Sequence, residues 1–398
     1  MVRDIRPPAR PRVALLGQFG IGNLGNEASL DAMLDVLGED AELVIVTEKP
    51  DVVRRDRGIS TVSVTDPHAV RGGWRGAWGK LRDLVWAWRR VGEVDAVVVP
   101  GTGLLEGAAI RATAIPLTLA WYGVAARCRH RPFHLVSIGV DDGGSRLTRA
   151  LFGAVLRFAT SVTVRDRGSA EHVARLAGAR PPVVPDLVLS GKPLGARGDA
   201  GGWTVALGVI DTNGTGTVEA SWDRDDYLGR ICLVARRLEE AGTTVLVVGG
   251  AGLDDTIAEE VVARVDRAAV VRAPADTLDE LAEWFAGCRV VVAARYHNLV
   301  TAVRAGLPVV SLGYARKQQW LVDDLGAPER AHDVAGFDPD LVAEQVLEML
   351  REGNAWHSAH TDTVRWTGRA RALLEAQADD LRRDLGLSRY PTQLETKR

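Results

Sequence analysis

The apolar positions of this chain fall into short continuous runs separated by stretches with helical spacing. Strands are read at 13–17, 43–47, 61–64, 94–100, 133–138 and 161–164, and continuous apolar stretches within them, such as 13–16, 43–46 and 96–100, show the pattern of strands covered on both faces. Between them, 27–37, 77–90, 109–128, 146–158 and 168–177 read as helices. In the first of these, Leu30, Met33, Leu34 and Leu37 share a face, and Asn26 is placed to cap it. Val183-Val184-Pro185-Asp186 closes this half. The same alternation then returns, with strands at 205–210, 244–248, 269–271, 290–293 and 309–312 and helices at 225–241, 254–265, 277–287, 299–305 and 318–325. Further helical stretches follow at 339–351 and 361–385. Strands alternating with helices predict an α/β fold with parallel sheets wrapped on both faces.

A chain of 398 residues exceeds one ordinary core. The Gly-rich, weakly hydrophobic stretch 191–202 reads as a linker. It separates an N-terminal Rossmann-like domain (12–190) from a C-terminal one (203–335), and helices at 339–386 are expected to pack back across the junction. Two doubly wound domains facing a cleft is the GT-B arrangement, with the active site between them. The halves share this pattern but no repeated sequence.

Composition narrows the function. A net charge of -3 argues against a general nucleic-acid binder. Cys128, Cys232 and Cys288 are too far apart for metal-ligand spacing and read as free thiols in a reducing compartment. The Pro/Arg-rich residues 1–11 read as disordered, and the apolar run that follows is broken at Gly17, so it reads as a strand and not as a signal peptide. No apolar stretch reaches the ~20 residues a membrane span needs, and a cytoplasmic location is expected. Trp74, Trp78, Leu81, Val85 and Trp88 form a helical stripe among Arg75, Lys80, Arg82, Arg89 and Arg90. Residues 74–90 are therefore either a sheet-packing helix with a solvated basic face or a peripheral contact with the inner face of an anionic membrane.

The chemistry concentrates at Ala293-Ala294-Arg295-Tyr296-His297-Asn298. A strand followed by a helix puts Arg295 and His297 at a carboxyl sheet edge beside free helix N–H groups, where anions bind. Gly313-Tyr314-Ala315-Arg316-Lys317 brings further cations to that edge. Arg165, at another strand end, either joins them or pairs with Asp166 or Asp186; for Arg295 and His297 the alternative is a helix-start ion pair. Gly101-Thr102-Gly103 allows close approach to the backbone, and Glu106 and Asp141 are candidate bases, Glu106 preferred. Gly20-x-Gly22-x-x-Gly25 matches the dinucleotide fingerprint, with Glu48 ending the next strand, but Glu27 at the helix start would repel a pyrophosphate. The loop reads instead as a tight turn or as a substrate-binding loop in which Asn23 and Asn26 offer amides to sugar hydroxyls. No metal ligand cluster is visible.

Taken in order, Gly22-Asn23-Leu24-Gly25-Asn26-Glu27-Ala28, Gly101-Thr102-Gly103-Leu104-Leu105, Ser137-Ile138-Gly139, Val164-Arg165-Asp166-Arg167-Gly168-Ser169, Pro185-Asp186, and Arg295-Tyr296-His297 with Gly306-Leu307-Pro308 and Lys317 resemble the polysaccharide pyruvyl transferase family over about residues 12–325. Asn26 stands where that family usually has Asp, and Tyr296 where Leu is common. The resemblance implies a GT-B-like fold and phosphoenolpyruvate as co-substrate, without a further cofactor. It also implies a pyruvate ketal formed on two hydroxyls of a cell-envelope glycan or its lipid-linked precursor. By that resemblance Arg165, Arg295 and His297 hold the donor, joined by Lys317. His297 and Glu106 would act on protons, and Asn23, Asn26 and Gly103 would meet the acceptor. The rivals are a GT-B glycosyltransferase using a nucleotide sugar, an NAD-binding oxidoreductase and a non-catalytic anion sensor.

Overall fold

The computed structural model describes residues 10–69, 75–101, 103–106, 111–191, 205–211, 222–249, 254–267, 269–275, 277–351 and 354–389, with no side-chain description for 75–77 or 354. The N-terminal half runs β1 (Arg12–Leu16), α1 (Leu24–Leu37), β2 (Glu42–Thr47), α2 (Pro50–Arg57), β3 (Ser60–Ser63), α3 (Arg75–Gly92), β4 (Ala96–Pro100), α4 (Ile115–Cys128), β5 (Phe133–Ile138), α5 (Arg146–Phe158), β6 (Ser161–Val164) and α6 (Arg167–Ala177). The C-terminal half runs β7 (Val205–Gly208), α7 (Arg224–Glu240), β8 (Val245–Val248), α8 (Asp254–Val265), β9 (Val270–Ala273), α9 (Leu278–Phe285), β10 (Val290–Ala293), α10 (Tyr296–Arg304), β11 (Val309–Gly313), α11 (Arg316–Asp324) and β12 (Ala331–Asp333). Then come α12 (Pro339–Leu350) and α13 (Asn354–Asp384).

Each half carries one parallel six-stranded sheet, ordered β3-β2-β1-β4-β5-β6 and β12-β11-β10-β7-β8-β9. The middle strands are unbroken hydrophobic sequence for the reason the pattern implied. Every residue of β4, β7, β8 and β10 is buried, because helices cover both faces. Both sheets reverse strand order beside their first strand, β1 or β7. In open α/β sheets such switch points lie beneath the ligand crevice.

Each half has its own buried cluster, and a third joins the two. The third runs from Leu30, Met33 and Leu37 of α1 through Leu187, Val188 and Leu189 to Leu299 and Val303 of α10, and on to Ala370 and Leu374 of α13. Helix α13 then reaches the N-terminal sheet. Gln377 Nε2 donates to Ser137 Oγ at 3.0 Å, and the Thr163 hydroxyl donates to Gln377 Oε1 at 2.5 Å. The Arg382 guanidinium donates to the carbonyls of Val36 (2.7 Å) and Leu37 (3.3 Å), which α1 leaves without helical partners at its end, and pairs with Asp40.

Several boundaries differ from the sequence reading. Helix α1 starts three residues early and is capped by Asn23, not Asn26. Helix α4 starts at Ile115, with Pro116 in its first turn; Arg111–Ala114 is irregular loop and turn, and 107–110 lie outside the described residues. Helix α2 and strand β12 were not foreseen, and Val183 makes only an isolated bridge to Val164. The expected linker, apart from Gly191, lies outside the described residues, as do Trp74 and Thr102.

Candidate active site

Strands β4, β5 and β6 end in the loops that carry Glu106, Gly139 and Arg165. On the opposite half, β10 and β11 end at the starts of α10 and α11, which carry His297 and Lys317. Between Leu135 and Ile138 the β5–β6 register shifts, and Ser137 sits at φ 49 with its N–H on Thr163 Oγ1. The bulge redirects the end of β5, so that Arg165 N–H reaches Ile138 O at 3.1 Å.

Arg165 is the centre of the N-terminal wall, and its side chain is 5% exposed. It forms an ion pair and hydrogen bond with Glu106, and lies 3.5 Å from Asp166 and 3.7 Å from Asp186. Both aspartates are tied into local backbone: Asp166 accepts Ser169 N–H as the cap of α6, and Asp186 accepts Val188 N–H. Glu106 is the partner an incoming anion can replace. The pair lies directly on the Gly139 backbone, where a Cβ would collide with both Glu106 and Arg165.

From the other half, Lys317 Nζ comes within 3.3 Å of Glu106 Oε2. Beneath both cations lies the Tyr296 ring, with the Arg165 guanidinium carbon 5.1 Å and Lys317 Nζ 5.6 Å from its centroid, within cation–π range. Gln318, fully buried, sets the height of Lys317. Its carbonyl accepts the N–H groups of Tyr314 and Ala315, and its amide donates to Ala294 O. The His297 imidazole crosses the seam and takes the space above Gly25, leaving no room there for a Cβ. Trp320 makes a second crossing against Gly168, beside an Arg167–Asp324 pair at 3.4 Å.

The electrostatics follow from these contacts. Withdrawal from water would raise the Glu106 pKa, but Lys317 and Arg165 outweigh it and bring the carboxyl down to about 2. Burial, then the charges of Lys317, Arg165 and Arg295, lower His297 to about 3, so its imidazole is neutral at pH 7. Burial raises Asp186.

Two sequence expectations take a definite form here. Arg295 was expected to converge with Arg165 or to form a helix-start ion pair; its guanidinium forks onto Asp254 at 2.7 and 2.8 Å, while its charge and that of Arg165 both bear on His297. Asp254 is fully buried at the start of α8 and also accepts Asp211 N–H, so it needs a counter-charge. Arg295 therefore stands behind His297 as a fixed charge. Asn26 was expected to offer its amide to sugar; it is buried and donates that amide to Gln18 O. Asn23 is exposed, with its carbonyl capping α1 through the N–H groups of Gly25 and Asn26. Above Gly103 sits the Glu106 carboxylate. The glycine loop gives a dinucleotide no room: Glu27 Oε1 accepts Gly20 N–H at 2.6 Å, and His297 covers Gly25. Asp141 accepts Gly143 N–H within its own loop. Tyr296, Gln318 and Asp254 were not read as site residues; the only sequence signal for Tyr296 was an aromatic ring between an arginine and a histidine at a strand end.

A family model described as "Polysaccharide pyruvyl transferase" matches residues 23–316. The chain belongs to the polysaccharide pyruvyl transferase family. No curated protein matches the sequence at a significant level. Solved structures match the fold of this transferase along nearly its whole length. One is UDP-GlcNAc 2-epimerase from Neisseria meningitidis bound to UDP-GlcNAc, with TM-score 0.61 and 9% identity, covering 92% of this chain and 99% of that one. Another is MurG of Acinetobacter baumannii, with TM-score 0.56 and 15% identity, covering 94% and 99%. A third is the UDP complex of S. aureus MnaA, with TM-score 0.60 and 13% identity, covering 95% and 98%. At such identities they show the fold alone: the transferase has the GT-B fold, two doubly wound sheets facing a cleft.

Proposed function

We propose that this transferase moves the enolpyruvyl group of phosphoenolpyruvate onto two hydroxyls of a sugar in a cell-envelope or extracellular glycan, or in its lipid-linked precursor, closing a pyruvate ketal and releasing phosphate. The observation that carries the reading is Glu106, held between Arg165 of one half and Lys317 of the other, beside His297 and the start of α10. A carboxylate already bridges the two cations, and a small polyanion can take its place. Phosphoenolpyruvate carries about three negative charges, and an arginine can grip its carboxylate or phosphate through paired N–H groups. The first N–H groups of α10 lack helical partners, as at any helix start, and suit an anion.

The chemistry balances with these groups. The methylene carbon gains a proton, and the first sugar hydroxyl adds to the neighbouring carbon. The second hydroxyl then displaces phosphate. Of the two hydroxyl protons, one ends on the methyl group and one on the departing phosphate. Glu106, freed from its cations by the donor, regains basicity and takes a hydroxyl proton. The incoming negative charge offsets Lys317 and Arg165, so His297 gains a proton that it can pass to the phosphate. Arg295, fixed by Asp254, keeps positive charge behind the site.

A nucleotide sugar is the alternative donor, consistent with the UDP-GlcNAc bound to one GT-B neighbour. The buried carboxylate of Asp254 argues against it: it stands at the start of α8, where a diphosphate would need the helix end free, and it already engages Arg295. Thermal melting with phosphoenolpyruvate, UDP, GDP and CMP separates the readings, followed by phosphate release in a screen of glycan acceptors. Stabilisation by phosphoenolpyruvate alone, with phosphate released once an acceptor is added, supports the pyruvyl transfer. Stabilisation only by a nucleotide defeats it.

A further inference from the structure

Helix α3 has no part in the site, yet among the described residues it carries the largest cluster of exposed apolar side chains. Trp78 is 64% exposed, Leu81 49%, Val85 46% and Trp88 39%. Their spacing puts them on one face over about 15 Å of helix. The opposite face, with Ala87 and Val91, is buried in the N-terminal core. Beside the stripe lies a groove of about 330 Å³ lined by Trp78, Leu81, Val85 and Trp86 together with Arg82, Arg89 and Asp66. The Arg129 guanidinium, from the end of α4, lies 4.5 Å from the Trp88 ring centroid.

The charge of this helix is opposite in sign to that of the whole chain. Arg75–Gly92 holds five cationic residues and one acidic one, Asp83, which is buried, while the chain carries -3. Lys80, Arg82 and Arg90 pair with Asp83, Asp66 and Glu93, and Arg89, with Arg129 of α4, stands beside the tryptophans. Exposed indoles with arginines beside them match the headgroup layer of an anionic bilayer, where the rings sit between acyl chains and water and the guanidiniums meet phosphate. The helix is also set at the right end of the fold. Trp86 Nε1 donates to Ser63 O at the carboxyl end of β3, and α3 leads into parallel β4. Its first turns, with Trp78 about 12 Å beyond that level, therefore project past the same sheet edge that carries Glu106 and Arg165. Among the described residues no helix is long and apolar enough to cross a membrane, so contact would be by surface docking.

We infer that the Trp78–Trp88 face of α3 docks the protein onto an anionic lipid bilayer, with the cleft opening near the membrane surface. Docking does not depend on the reaction, although a lipid-linked acceptor would explain its use.

Sedimentation of the full chain with phosphatidylglycerol/phosphatidylcholine vesicles tests it without any substrate. The wild type is expected to pellet with these vesicles, weakly with pure phosphatidylcholine, and less at high salt. The Trp78→Ser/Trp88→Ser variant, checked for an unchanged melting curve, is expected to lose about tenfold or more in partitioning. Arg89→Glu should lose the preference for anionic lipid while its melting is unaltered. Equal pelleting of the tryptophan variant and wild type overturns the proposal, as does absence of wild-type binding. A wild-type dimer that the double variant makes monomeric, with neither binding vesicles, overturns it in favour of an interface between two copies.

Discussion

Lys317 Nζ lies 3.3 Å from Glu106 Oε2, and these two residues come from opposite halves of the fold, 211 positions apart. Glu106 is meanwhile paired with Arg165 of its own half. One carboxylate thus couples the cleft walls, and in the proposed reaction it is the group that the donor displaces.

Glu106→Gln keeps the shape and removes the charge. Phosphoenolpyruvate no longer competes with a carboxylate for Arg165 and Lys317, so its affinity should rise several-fold by calorimetry. Ketal formation, followed as phosphate release, should fall about 10²–10⁴-fold, the usual contribution of a general base. Retained turnover would show that the base lies elsewhere, with Asp141 next in line.

His297 gives a pH signature of binding and of stability. Its imidazole is neutral because burial and the cations of Lys317, Arg165 and Arg295 hold it near 3, against an ordinary value of 6.5. A bound trianion reverses the electrostatic part. Donor binding near pH 7 should therefore take up a proton, read from calorimetry in buffers of different ionisation enthalpy, and His297→Gln should abolish the uptake. For stability, the unfolded chain protonates below 6.5 while the folded one does not until about 3, so this contribution is present above 6.5 and is lost as pH falls. Glu106 acts in the same direction in a lower window, between 4.5 and about 2. The variant's melting should thus be flatter than the wild type's between pH 6.5 and 4.5, by at most about 1.4 kcal/mol per pH unit.

Arg382→Ala probes the strap that holds the halves together. The residue is 2% exposed and serves the end carbonyls of α1. Its loss leaves buried acceptors unpaired and should cost about 2–3 kcal/mol in urea unfolding, without changing the residues of the cleft.

The sheets could be read from sequence because burial on both faces writes them as continuous apolar runs; β4 and β10 are legible for that reason. Helix α2 was illegible because only Val53 of it is buried, too little to make a period. The site was legible in its residue types and in their places at strand ends. Its pairings were not. Gly25 reads as a turn residue, yet it lies inside α1 because His297, 272 positions away, fills the space a side chain would need. Arg295 caps the helix after β10 and Asp254 opens the helix after β8, the strands on either side of β7, and nothing local in either segment says that they meet.

That last pair decides how Arg295 should be tested. Arg295→Ala leaves the fully buried Asp254 carboxylate without its counter-charge, and the fold should lose about 3–5 kcal/mol. A dead single variant therefore says little about the donor. Adding Asp254→Asn removes the stranded charge, and the double variant Arg295→Ala/Asp254→Asn should regain most of the stability in urea unfolding. If Arg295 acts as the fixed charge behind His297, the double variant should still bind phosphoenolpyruvate at least tenfold more weakly than wild type, because its positive field is gone. Wild-type affinity in that well-folded double variant would show that Arg295 serves only Asp254, and that Arg165, Lys317 and the start of α10 suffice for the donor.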